Sequence, residues 1–128
     1  SGNPLAMSAG LAMLQQLNDD DDVYIRLKEK PNYLHKGLSK VLTEKGITHQ
    51  INQVNSMISV HFSENEVVDF KSSGEGDNPR FKQFFHGMLA KGVYIAPSAY
   101  ETWFISDALS YDDLDATITA CSEVAETL

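Results

Sequence analysis

At 128 residues with a 42% apolar fraction, the chain has the size and composition of one folded domain. A net charge of −8 offers no counter-charge to nucleic acid or to an anionic membrane, and no apolar run approaches the roughly 20 residues that span a bilayer. Cys121 is the only cysteine, which leaves no internal disulfide and fits a reducing, cytoplasmic setting.

In chain order, Asn3 suits an N-cap and Pro4 the first helical position, so a helix is predicted from there to about Leu17. Its apolar residues are not confined to one stripe: Met7, Leu11 and Leu14 lie on one side, Ala6, Gly10, Met13 and Leu17 on another. A helix apolar nearly all round is normally buried all round, and so small a domain can cover only one side of it. Residues 1–17 therefore read as a contact helix for a missing domain or a second subunit. Asn18 to Asp22 reads as a solvated acidic turn that caps the next helix, since its spacing lacks the alternation of a calcium loop.

A second helix is predicted from Val23 to Glu44, with Tyr24, Leu27, Leu34, Leu38, Val41 and Leu42 on its apolar face and a kink or break near Lys30 imposed by Pro31. Lys45-Gly46 closes it. Ile47 to Val54 and Met57 to Phe62 read as a hairpin joined at Gln53 to Ser56, with Ile58, Val60 and Phe62 on one face. Glu66 to Phe70 reads as a further extended segment and Lys71 to Asp77 as a polar mobile loop. A third long helix starts with Asn78 as cap and Pro79 next. It carries Phe81, Phe84, Phe85, Met88 and Leu89 on a core face and ends at Lys91-Gly92. Val93 to Ile95 reads as a short buried strand, Ala96 to Tyr100 as a turn held by Pro97, and Thr102 to Ile105 as a return strand. Ser110, with Asp113 completing an acidic capping box, opens the last helix, whose core face holds Leu114, Ile118, Cys121 and Ala125. The sum is one α+β domain over residues 1–128: a small antiparallel or mixed sheet covered by helices on one face.

Candidate chemistry is sparse. His35, His49, His61 and His86 lack metal-ligand spacing, so no metal site is expected. Ser98 with His86 lacks the nucleophile-elbow pattern. Cys121 sits on a core face and reads as a small buried residue. Glu101, beside the turn, either pairs with a ligand or faces water.

Three separated segments resemble one family in order and spacing. They are Ser1 to Ala12, Phe81 to Leu89, and Gly92-Val-Tyr-Ile-Ala-Pro-Ser98 followed by Ala99-Tyr100-Glu101. The chain resembles the C-terminal part of the glutamate-1-semialdehyde 2,1-aminomutase family, pyridoxal-phosphate enzymes of the class III aminotransferase group. The resemblance implies a homodimeric cytoplasmic enzyme that moves an amino group within one small substrate to give 5-aminolevulinate, the tetrapyrrole precursor. It implies that this chain is the C-terminal small domain of a fold-type I polypeptide whose cofactor domain lies upstream. The Schiff-base lysine would lie there, leaving no catalytic residue in this chain. It further implies that Glu101 contacts substrate or the loop closing over it. Ser1, Gly2 and Asn3 would end a loop that approaches the cofactor phosphate of the neighbouring subunit. The chain departs from the family pattern at Ala99, where Gln is usual, and at Thr102-Trp103, where a small pair is usual. The alternatives are a related class III aminotransferase and a stand-alone α+β ligand-binding or regulatory domain.

Overall fold

Side-chain caps set most helix starts. The computed structural model describes residues 2–128, and Ser1 lies outside the described residues. Helix α1 (Pro4–Asp19) starts where the Asn3 side chain accepts from the backbone N–H groups of Leu5 and Ala6. Helix α5 (Tyr111–Ala125) starts at a complete Ser110/Asp113 capping box. Between them lie α2 (Val23–Glu44), β1 (Gln50–Val54), β2 (Met57–His61), α3 (Phe70–Gly74), α4 (Asn78–Ala90) and β3 (Trp103–Phe104).

The three strands form one antiparallel sheet in the order β1-β2-β3. Val54 pairs with Met57 across a two-residue turn, in which Asn55 takes φ of 50°, a conformation asparagine tolerates. Ile58, Val60 and Trp103 point to the helices and join one core with Leu34, Leu38 and Leu42 of α2, Phe81, Phe84 and Met88 of α4, and Leu114 and Cys121 of α5. Helix α5 packs mainly on α2. Gly87 permits α4 to approach it, because a Cβ there would stand 2.6 Å from Val124 Cγ1.

Several expectations need correction. Helix α2 is continuous through Pro31. Pro31 is itself fully buried and Lys30 is anchored to Asp107, so packing on both sides outweighs a mid-helix proline cost of about 3 kcal/mol. Tyr24 is exposed, off the core face, as is Leu89 in part. Asp22 makes no capping bond; Asp20 instead accepts from the Asp22 backbone and pairs with Arg26. Asp77, not Asn78, caps α4 by accepting from Arg80.

Glu66 to Phe70 makes no strand, and the loop expected at Lys71 to Asp77 holds α3. A capping box of Asp69 and Ser72 nucleates this short helix. Val93 to Ile95 forms no ladder, and β3 pairs with β2 instead. A cleft of about 550 Å³ is lined by both of these segments and by α5, so they do not close into a hairpin.

Candidate functional site

Glu101 lies where a turn feeds β3. Ser98 builds that turn twice over: its side-chain oxygen accepts from Tyr100 N at 3.2 Å, and its carbonyl accepts from Glu101 N at 3.1 Å. Beyond the glutamate, Thr102 and Ser59 share a hydroxyl hydrogen bond of 3.2 Å that ties the chain to β2. Trp103, the next residue, turns the other way, into the core, stacking on Phe84 at 6.4 Å between centroids. The large residue at this position is therefore absorbed by the core and does not crowd Glu101. Glu101 is exposed, and its carboxylate makes none of the hydrogen bonds or ion pairs among the described residues.

The turn is backed by α3. The Tyr100 ring lies 5.4 Å from that of Phe70, tilted by 30°. Phe70 is 80% exposed and Tyr100 50% exposed. The outer face of the sheet has one apolar end, where Val54, Met57 and Phe104 occupy paired positions and Val54 and Phe104 are 62% and 74% exposed; the rest of that face is polar, with Gln50, Asn52, Ser59 and the buried His61. Helix α1 is bare as well. None of its residues is buried, and Leu5, Met7, Leu11, Met13 and Leu14 are all more than half exposed.

The other candidates do not converge on this region. Gly2, at φ of 85°, leads into the capping residue Asn3 at the far end of α1; Ser1, named with them, is outside the described residues. Cys121 is fully buried, which pushes its thiol up to about 12, so it is inert at neutral pH. His86 and Ser98 line one shallow depression beside α4, but no hydrogen bond joins them. His61 is buried and its pKa is lowered by desolvation. Among the described residues no group of three or more His, Cys, Asp or Glu is placed to hold a metal, and no helix is long and apolar enough to cross a membrane.

A charged clasp that sequence reading missed ties the start of α2 to the segment before α5. Arg26 donates to both Asp107 and Asp20, and Lys30 pairs with Asp107 at 3.0 Å. The hydrogen bonds from Arg26, then Lys30, lower the Asp107 carboxyl to about 2. These partners are 77 and 81 residues apart, so no local pattern announces them. Lys30 is the only buried lysine among the described residues, and it is already engaged.

No protein-family model matches the chain. Curated relatives match it from end to end. It is 62% identical over all 128 residues to the glutamate-1-semialdehyde 2,1-aminomutase of Flavobacterium psychrophilum, and 44% identical over 123 residues to one from Thermus thermophilus. Along its whole length the chain is similar to one part of the glutamate-1-semialdehyde 2,1-aminomutases. It spans about 30% of the length of the curated relatives it matches, so it is one part of a longer kind of polypeptide.

The fold agrees. An omega-transaminase from Sphaerobacter thermophilus superposes over 98% of this chain and 28% of its own, with a TM-score of 0.80 at 19% identity. A glutamate-1-semialdehyde aminomutase from Pseudomonas aeruginosa PAO1 superposes over 82% of this chain and 23% of its own, with a TM-score of 0.71 at 13% identity. The three-stranded antiparallel sheet with its helices is thus the fold of one portion of pyridoxal-phosphate transaminases.

Proposed function

We propose that this chain is the C-terminal small domain of a pyridoxal-phosphate-dependent glutamate-1-semialdehyde 2,1-aminomutase. That enzyme would convert glutamate-1-semialdehyde to 5-aminolevulinate for tetrapyrrole (porphyrin) synthesis, as a cytoplasmic homodimer. The observation that carries the reading is the uninterrupted 62% identity over the whole chain. Two physical observations support the incompleteness it requires: an all-round apolar helix with no buried residue, and an exposed apolar end on the outer face of the sheet, at Val54 and Phe104. In this reading the upstream domain and the neighbouring subunit cover residues 1–17 and that end of the sheet. A stand-alone ligand-binding or regulatory domain would leave both uncovered.

The cofactor lysine belongs to the upstream domain. In support, every lysine here except Lys30 is exposed, and Lys30 is paired with Asp107. This chain then contributes shape and one carboxylate. Glu101 would face the substrate or the closing loop, and its lack of a side-chain partner among the described residues leaves it available. Ser1, Gly2 and Asn3 would end a loop near the cofactor phosphate of the neighbouring subunit, with Asn3 retaining its capping role.

The test compares this chain alone with the chain joined to its upstream domain, reading pyridoxal-phosphate absorbance and 5-aminolevulinate production. The proposal expects both signals from the joined polypeptide only. A joined polypeptide that needs a second amino donor or acceptor at every turnover is an ordinary class III aminotransferase, and the aminomutase reading fails. Glu101→Gln in the joined polypeptide should lower kcat/KM by on the order of ten-fold or more; unchanged kinetics would remove Glu101 from the site.

A further inference from the structure

We infer that Phe70 is a positioning residue: with Tyr100 it forms an aromatic prop that fixes the turn carrying Glu101. The inference rests on the proposed role of Glu101 and assigns what holds that residue in place.

Among the described residues Glu101 makes no side-chain bond of its own, so its pose is inherited from backbone. On one side that backbone is fixed by Thr102 and Ser59. On the other it is held by Ser98, which accepts from Tyr100 N and Glu101 N, and by the Tyr100 ring, which rests on Phe70. The tyrosine also reaches α3 at its other end, since a Cβ on Gly74 would stand 3.5 Å from the Tyr100 hydroxyl oxygen. Helix α3 thus backs the turn along its length.

The segment bearing Phe70 is fastened more heavily than a connector requires. Asp69 and Ser72 exchange hydrogen bonds in the capping box, Ser73 donates to the Phe70 carbonyl, and Asp77 N bonds the Phe62 carbonyl at its far end. Gln50 and Asn52 of β1 donate to the carbonyls of Glu64 and Val67. All this fastening delivers a phenylalanine that stays 80% exposed. An aromatic ring left that bare contributes little to the core of this domain; the aromatic contact it makes is with Tyr100, in the turn.

The experiment is a double-mutant cycle in the full-length holoenzyme with saturating cofactor: Phe70→Ala, Glu101→Gln and the pair, each read by kcat/KM and by melting temperature. The expected result is a loss on the order of ten-fold for Phe70→Ala with a near-wild-type melting temperature, recovery in Phe70→Tyr, and no additional loss when Phe70→Ala is placed on Glu101→Gln. If Phe70→Ala does not fold, Phe70→Leu takes its place, keeping apolar bulk and losing the ring. Losses that multiply in the double variant overturn the inference while leaving Glu101 in its role, as does a silent Phe70→Ala beside a damaging Glu101→Gln. A silent Glu101→Gln removes the Glu101 reading itself, and the inference with it.

Discussion

Helices α1 and α2 are neighbours in sequence and opposites in environment. Along α2, Leu34, Leu38 and Leu42 are at most 2% exposed; along α1, nothing is buried. Yet α1 is the more apolar in composition, with Leu5, Met7, Leu11, Met13 and Leu14 in one short span. The same contrast holds at one end of the sheet, where Ile58 and Trp103 are buried on the inner face and Val54 and Phe104 are exposed on the outer one. The α2 side of the molecule satisfies its own hydrophobic surface, and α1 leaves its apolar residues uncovered. Monomeric surfaces seldom tolerate contiguous apolar patches of this kind.

Substitutions sharpen this division, and the largest effects should fall in the closed half. Phe84→Ala removes a ring fully buried between Phe62 and Trp103 and should cost about 3–5 kcal/mol in a denaturant titration. Gly87→Ala should cost about 1–2 kcal/mol net. Its new methyl would press on Val124, whose branched side chain has one favoured rotamer in a helix, against a helix-propensity gain of about 1 kcal/mol. Leu11→Ser on α1, by contrast, should change the stability of this chain by less than about 0.5 kcal/mol. A large loss there would break the comparison.

The clasp supplies a pH dependence. Asp107 is held at about 2 in the folded chain, below its ordinary 3.8. A depressed carboxyl stabilises the fold at pH values above the unfolded pKa, and that stabilisation is lost as pH falls through the folded one. Stability should therefore drop between about pH 4 and pH 2, and Asp107→Asn should flatten that part of the curve. His61, whose pKa is lowered by burial, adds a loss that begins as pH falls below about 6.5. His61→Gln should remove that limb selectively.

Much of this was legible in the sequence because it is local. Asn3-Pro4, Ser110 with Asp113, and the two Lys-Gly pairs marked real helix ends, and the spacing of Phe81, Phe84 and Met88 marked the core face of α4. The alternation of Ile58 and Val60 gave the central strand. What stayed hidden depended on tertiary contacts. Pro31 reads as a breaker until its burial is known. Asp69 and Ser72 form a capping box with the acid first, in a stretch whose glycines suggest a loop. Val93 to Ile95 has strand composition but finds no partner, because β2 is taken by β3. At the candidate site, the resemblance singled out Glu101, while the Phe70–Tyr100 prop joins residues 30 positions apart and leaves no pattern in either segment.

The most direct test of the central claim is hydrogen exchange at the α1 amides, residues 8–19, in this chain and in the full-length polypeptide. If α1 is a contact helix awaiting its partner, these amides exchange fast in the chain alone and slowly in the full-length protein. Strong protection of α1 in the isolated chain would show that this domain buries the helix by itself, and would contradict the account.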